Sequence, residues 1–256
     1  MNKLLSILAG GLLTFSVANA TTIYEIQHTT NPNGVSPLVD TQVADVEGIV
    51  TATHGDKFYM SEEGGGAWKG IYVFDWTIKP NVGDKIKLSG TVAEYYENTQ
   101  ITTITDFTVL STGNEVPAPS VITASELKTE AYEGVLVKIE DVTVSVATGE
   151  HNVWRATDAT GEEFKLDDKM YMHEATVGQQ FDYVIGMNDY SYDEYTLNPR
   201  SISDLGIGGE AVSATVAEIK ANPENYTKVI INNAIVTVGV NSIQTGKTGR
   251  WVNNRT

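Results

Sequence analysis

The residues best suited to chemistry in this sequence are aromatic rings and amides, gathered in two neighbouring stretches. Flat rings can stack on bases or on sugars, and neighbouring amides can hydrogen-bond to polar edges. This combination recognises a ligand and breaks no bond. We predict a ligand-binding surface formed by Tyr59, Trp68, Tyr72, Phe74, Trp76, Tyr95, Tyr96, Asn98 and Gln100.

Bond-breaking chemistry has little support in the sequence. There is no cysteine, and the four histidines (His28, His54, His151 and His173) are scattered, with none of the spacings of a zinc site. Neither a nucleophile elbow nor a phosphate-binding loop occurs, and residues 64–66 are three glycines without the lysine that a phosphate loop needs. We therefore predict no catalytic residue, no cofactor and no enzyme.

Carboxylates are abundant, and two groups are dense: Asp167 with Asp168, and Asp189 with Asp193 and Glu194. Hard oxygen ligands on turns can hold calcium, but neither group has the spacing of an EF-hand loop. Solvated acidic loops are the alternative interpretation, and we predict no metal site.

The elements that position the rings are short strands. Between residues 47 and 102, apolar and polar residues alternate in four runs that are separated by Gly- and Asp-rich breaks. In one run, Ile86, Leu88 and Val92 share a face opposite Lys87 and Ser89. About five such strands in under a hundred residues favour a small closed barrel.

Four sequence runs in this part of the chain resemble a known family. GIV, FYM, GIYVFD and VGDKIKLSGTVAEYYENTQI, within residues 46–105, are similar to the OB-fold domain that accompanies secreted bacterial nucleases. The resemblance implies an OB barrel and a non-catalytic companion module. It also implies single-stranded nucleic acid as a ligand.

The same pattern recurs along the chain. Thr22 with Glu25, Thr123 with Glu126, and Thr215 with Glu218 each have the spacing of a helix capping box ahead of a strand. We predict an all-β chain with two tandem OB-like five-stranded barrels, at 22–112 and 120–206, plus an incomplete third repeat at 215–256. Either the chain is truncated within a longer protein, or residues 229–238 dock on the second unit as an extra strand.

An OB barrel presents the outer face of its second and third strands to ligands, near the hairpin of strands four and five. Tyr59, Tyr72 and Phe74 are predicted to point outward there, with Trp68 and Trp76 in flanking turns. Alternatively, these rings cover the end of the barrel or pack against the second unit. In that unit a one-residue slip decides whether Trp154 points inward, which would leave Arg155 and Lys165 outside.

The amino terminus reads as a secretory signal peptide over residues 1–20, with Lys3, an apolar run and Ala18-Asn19-Ala20. The apolar run is too short to span a membrane, so we predict a secreted or periplasmic protein. The formal charge is −16, and residues 22–111 hold five basic against twelve acidic side chains. Such an acidic surface disfavours generic binding to a phosphate backbone.

These observations predict a secreted, non-catalytic OB-fold module that binds single-stranded nucleic acid or oligosaccharide. Under this prediction the module is the amino-terminal part of a larger exported nuclease-like protein, with an enzymatic domain downstream. The alternative is a structural or cell-surface module whose partner is a protein of the cell envelope and which has no small ligand.

Overall fold

Five strands between Gln42 and Ser111 close into the first barrel. They belong to a computed structural model that describes residues 20–207, 212–213 and 229–230. The strands are β1 (Gln42–His54), β2 (Lys57–Ser61), β3 (Gly70–Val73), β4 (Lys85–Tyr95) and β5 (Asn98–Ser111). They pair in the order β1-β2-β3-β5-β4, and β4 returns to β1. This closure pairs the outermost strands of the sheet with each other.

The predicted alternation fills this barrel. Phe58 and Met60 on β2, Ile71 on β3, and Ile86 and Leu88 on β4 are fully buried in one cluster. Because successive side chains of a strand point to opposite faces, Tyr59 and Tyr72 point away from that cluster.

The second barrel repeats this topology. Its strands are β7 (Leu136–Val146), β8 (Trp154–Thr157), β9 (Glu163–Leu166), β10 (Gln180–Ser191) and β11 (Glu194–Asn198), flanked by β6 (Ser120–Val121) and β12 (Leu205–Ile207). They pair in the order β7-β8-β9-β11-β10, and β10 returns to β7. The predicted all-β fold class with OB-like barrels is confirmed.

The remaining described elements are short. Three 3-10 turns span Glu130–Tyr132, Glu150–Asn152 and Ile202–Asp204, and β13 (Val212–Ser213) pairs in parallel with β14 (Val229–Ile230). The predicted signal peptide and most of the predicted third repeat lie outside the described residues. Within the part of the chain that the structure describes, no helix is long and apolar enough to cross a membrane.

A short capped helix precedes each barrel, α1 (Ile23–Gln27) and α2 (Ala124–Leu127). In both, the threonine side chain accepts from the glutamate amide and the glutamate carboxylate accepts from the threonine amide. The capping boxes of Thr22 and Thr123 are therefore confirmed, while that of Thr215 lies outside the described residues. Each helix buries apolar side chains in the core of the barrel that follows it.

A third apolar cluster joins the two barrels. Its buried members are Ala52, Tyr59 and Tyr72 from the first barrel and Leu136 and Met187 from the second. The backbones also meet at Gly70 and Gly134, where a Cβ added to Gly70 would overlap the Gly134 carbonyl. Because Gly70 has no side chain, the two backbones can approach more closely here than a larger residue would allow.

Candidate functional site

Two tight hairpins frame a cleft between the barrels. The β4–β5 turn has positive φ at Tyr96 (50°) and Glu97 (63°), and the β10–β11 turn has positive φ at Tyr192 (53°) and Asp193 (61°). Positive φ at both central residues is what a type I′ turn requires, and such turns match the twist of paired strands. The side chains that follow on β5 and β11 are therefore held on well-defined strands.

The cleft has a volume of about 610 Å³ and draws on both barrels. Six of the nine predicted site residues lie in its wall. The first barrel contributes Tyr72, Phe74, Tyr95, Tyr96, Asn98 and Gln100, and the second contributes Lys169, Asp189, Tyr190, Ser191, Tyr192 and Asp193.

Neighbouring strands place a ring beside an amide in the inner part of the cleft. Tyr72 on β3 and Gln100 on β5 are directly paired in register, and each is 8% exposed. Since paired residues point to the same face, the phenol and the amide both face the cleft. They form a flat surface with hydrogen-bonding groups at its edge.

A polar network holds the floor of the cleft. The Lys169 ammonium donates to Asp189 Oδ2 at 2.6 Å and to the Tyr59 hydroxyl at 2.9 Å. The Tyr59 hydroxyl donates to Asp189 Oδ1 at 2.9 Å, and Asn98 Nδ2 donates to the same oxygen at 3.1 Å. The Lys169 Nζ also lies 4.6 Å from the centroid of the Tyr72 ring. Asp189 and Lys169 therefore neutralise each other and fix the second barrel against the first.

Burial and charge keep the phenols of this network protonated. Burial, followed by the Asp189 carboxylate, raises the pKa of both Tyr59 and Tyr72. Desolvation disfavours a charged phenolate, and a nearby negative charge disfavours it further. Both hydroxyls are therefore neutral hydrogen-bonding groups at physiological pH.

The rim of the cleft is aromatic and exposed. Tyr95, Tyr96 and Tyr192 are 63%, 77% and 91% exposed, and Tyr95 packs edge-on against Tyr96 with centroids 4.8 Å apart. Tyr190 donates to Glu97 Oε2 at 2.9 Å, so the two hairpins touch. The rim thus offers rings that a long ligand can contact beyond the inner cleft.

Three predicted site residues lie elsewhere. The prediction that Tyr59 contacts a ligand is wrong: the ring points outward from its barrel, as expected, but the second barrel covers it completely. Trp68 lies near α1, where it packs against His28 and its backbone amide donates to Ala131. Trp76 is 63% exposed and packs edge-on against Phe74, next to the cleft.

Half of the cleft wall was not predicted. The hairpin around Tyr190 and Tyr192 is visibly aromatic and acidic in sequence, and its equivalence to the β4–β5 hairpin was a usable signal. Lys169 lies in the β9–β10 loop, and nothing in its sequence neighbourhood indicates that it reaches Tyr59. Its role depends on how the barrels are joined.

Several of the acidic side chains considered for calcium are engaged otherwise. Asp167 accepts from the Asp168 amide, Asp168 accepts from Asn152, and Glu194 forms a two-pronged pair with Arg155. Among residues 20–207, no three His, Cys, Asp or Glu side chains form a group suited to a metal ion.

Comparisons with known proteins add little to this geometry. No protein-family model matches the sequence, and no curated protein is similar enough to match it. Among solved structures, the chain is similar to the crystal structure of the p204 HINb domain, at 14% identity and a TM-score of 0.33. The match covers 60% of this chain and 91% of that one, and at this TM-score it carries no argument. The relation to secreted nucleases stays a prediction.

Proposed function

We propose that this protein is a non-catalytic binding module that holds a neutral oligosaccharide segment in the cleft between its two barrels. The observation that carries the proposal is a cleft whose wall, within residues 20–207, holds rings, amides, two carboxylates and one cation, Lys169, which is already paired. Cavities of about 300–1,000 Å³ are typical of small-ligand sites. A length of a few sugar units suits this size.

The charge of the cleft favours a neutral ligand. Asp193 lies in the wall, Glu97 lies beside Tyr190, and Lys169 is neutralised by Asp189. Binding of a phosphate backbone relies on unpaired Lys and Arg side chains that displace counterions. A glycan brings hydroxyl groups instead, and the Gln100 amide, the tyrosine hydroxyls and the Asp193 carboxylate can hydrogen-bond to them.

The rings supply the apolar part of recognition. Tyrosine is flat, large and limited to two side-chain rotations, so it buries area at low cost in entropy. Tyr72 faces the inner cleft, and Tyr96 stands at the rim. Phe74 lies in the wall and packs against the exposed Trp76. This arrangement extends the aromatic surface past the cleft and suits an extended chain rather than a single sugar.

The state of Asp189 supports binding without hydrolysis. Glycoside hydrolysis uses two carboxyl groups that flank the scissile bond, one as acid and one as base or nucleophile. Asp189 accepts hydrogen bonds from Tyr59, Asn98 and Lys169, so its oxygens are occupied by the protein.

We also propose that the protein is exported and is secreted or periplasmic. The mass of the processed protein tests cleavage after Ala20.

Calorimetric titration with a panel of neutral oligosaccharides tests the proposal. We expect binding that changes little with salt and that falls at least tenfold in Tyr72→Ala. Val121→Ala, at an exposed site on β6 outside the cleft, is the matched control and should bind normally. A single-stranded DNA oligomer is the second arm: tight DNA binding that weakens steeply with salt, with no glycan binding, would replace the proposal.

A further inference from the structure

A short segment of the chain joins the barrels. Residues 130–134, called here the joint segment, lead into β7 and lie against the first barrel. The Trp68 amide donates to the Ala131 carbonyl at 2.6 Å, and the Gln27 side chain donates to the Glu133 carbonyl at 3.4 Å. A Cβ on Gly34 would overlap the Glu130 carboxylate. The joint segment is therefore in direct contact with the first barrel along its length.

Two carboxyl groups from opposite sides of this joint meet at one residue. The Thr99 amide of β5 donates to Glu133 Oε1 at 2.8 Å, and the Thr99 hydroxyl donates to Glu94 Oε1 at 2.7 Å. Glu133 is 1% exposed and comes from the joint segment, whereas Glu94 comes from β4. Both side chains are thus fixed next to Thr99, where two ionised groups would repel each other.

The second oxygen of each carboxyl group has no protein partner. Within residues 20–207, Glu133 Oε2, Glu94 Oε2 and Gln27 Oε1 are buried acceptors without a hydrogen bond. Each is an acceptor when the carboxyl groups are ionised, so none can satisfy another. A proton on one carboxyl group changes this, because a protonated carboxyl group is a donor.

We propose that the joint between the barrels is a proton-linked latch, in which a proton held by Glu133, in the cluster that it forms with Glu94 and Gln27, keeps the joint segment on the first barrel. Loss of that proton leaves two carboxylates and three unpaired acceptors in a buried place. The joint then loosens as the pH rises. This inference does not depend on what the cleft binds.

The surroundings of Glu133 all act in the same direction, apart from one hydrogen bond. Burial raises its pKa most, and Glu130 of the joint segment, Asp189 of β10 and Glu94 of β4 raise it further, against the Thr99 hydrogen bond. Burial also raises the pKa of Glu130 to about 7, with contributions from Glu94 and Glu97, while its bond from Tyr195 opposes the shift. The cation of the neighbouring network, Lys169, is held by Asp189.

The pH dependence follows from linkage. A raised pKa in the folded state means that this stabilisation is complete below the unfolded pKa of about 4.5 and is lost as the pH rises through the folded pKa. For each proton involved, the unfolding equilibrium constant rises by up to about tenfold per pH unit in that window. The wild-type chain should therefore become less stable from about pH 4.5 upward.

The test is urea unfolding from pH 5 to 9 of the wild-type chain, Glu133→Gln and the matched control Glu115→Gln, whose side chain is exposed. The amide introduced by Glu133→Gln imitates the neutral acid, because its nitrogen donates where the protonated oxygen does. We expect the free energy of unfolding of Glu133→Gln to fall less steeply with pH than that of the wild type, by the slope that about one proton contributes. Glu115→Gln should follow the wild type.

A second measurement needs no variant. The Thr99 amide donates directly to Glu133, so its proton chemical shift in the wild-type chain should show an inflection well above pH 4.5. An inflection at the ordinary glutamate value would overturn the proposal. So would equal pH slopes for the wild type and Glu133→Gln, which would indicate that buried waters satisfy an ionised cluster.

Discussion

The two barrels share a topology but carry opposite chemistry on the same outer face. Tyr59 pairs with Tyr72 across β2 and β3 of the first barrel, and Arg155 pairs with Lys165 across β8 and β9 of the second. Tyr72 lies beside Gln100 and Lys165 lies beside Thr196, which confirms that these positions are equivalent. One face therefore carries rings where the other carries cations.

The side chains of each face determine whether the other barrel covers it. The ring face buries Tyr59 against Leu136 and Met187 of the second barrel, which removes apolar surface from water. On the other face, Arg155 forms two hydrogen bonds of 2.8 and 2.7 Å with Glu194 on β11 of the same barrel. The Arg155 side chain is thus satisfied within its own barrel, while the ring face needs a neighbour. The contrast shows how two copies of one fold come to occupy unequal roles.

The largest expected effect comes from removing the covered ring. Tyr59→Ala should destabilise the chain by about 3–5 kcal/mol, since it leaves a cavity and takes one hydrogen bond from Asp189. Urea unfolding measures this, with Tyr95→Ala, at a 63% exposed ring, as the control. Equal losses from both variants would mean that the ring face is not a true core.

Breaking the polar network at the floor of the cleft should reduce the free energy of unfolding by less than Tyr59→Ala does. Lys169→Met leaves Asp189 without its cation, which for a fully buried pair costs roughly 3–5 kcal/mol. We expect about 2 kcal/mol, because the Lys169 side chain is 23% exposed and Asp189 keeps the donors of Tyr59 and Asn98. Lys138→Met is the control, since Lys138 is 24% exposed, much like Lys169, but its partner Glu140 is 52% exposed. The contrast fails if the two variants unfold at the same urea concentration.

The close backbone approach provides a steric test of the same interface. Gly70→Ala pushes a methyl group into the Gly134 carbonyl, and overpacking of this kind costs about 1–3 kcal/mol. Gly149→Ala is the matched control, since its added Cβ meets nothing nearer than 3.9 Å. Thermal unfolding distinguishes them; a neutral Gly70→Ala would show that the barrels can shift apart freely.

The smallest effect is expected on the charged face. Arg155→Met should change the free energy of unfolding by less than about 1 kcal/mol, because its pair with Glu194 is one-third exposed on each side. Raised salt should weaken the ion pair of the wild type and so reduce the difference in the free energy of unfolding between the wild type and Arg155→Met. A loss as large as that of Tyr59→Ala would mean that an unseen neighbour also covers this face.

Much of the barrel could be predicted from local patterns. The alternation through Ile86, Leu88 and Val92 gives a strand with one buried face, and the capping boxes of Thr22 and Thr123 give the helix starts. The conditional expectation for the second barrel is met in part: Trp154 and Phe164 are buried and Arg155 lies outside, whereas Lys165 is only 9% exposed. These features depend on residues close in sequence.

Only half of the candidate site could be predicted from the sequence. The β4–β5 hairpin and the face of β3 place six predicted residues in the cleft, because side-chain alternation and hairpin geometry are local properties. Tyr59 shows the limit of that reasoning, since an outward side chain is exposed only if nothing covers it. Lys169 and Asp189 contact Tyr59 across more than a hundred residues of sequence.

By itself, the sequence determined two β-rich units with rings on the outer face of the first, and it left a one-residue slip open in the second. The tertiary structure alone decided which rings are covered and which remain open to a ligand. The physical reason is that periodicity sets the direction of each side chain along its own strand. The packing of one barrel on the other depends on shape and charge between distant segments, such as Gly70 against Gly134 and Thr99 against Glu133.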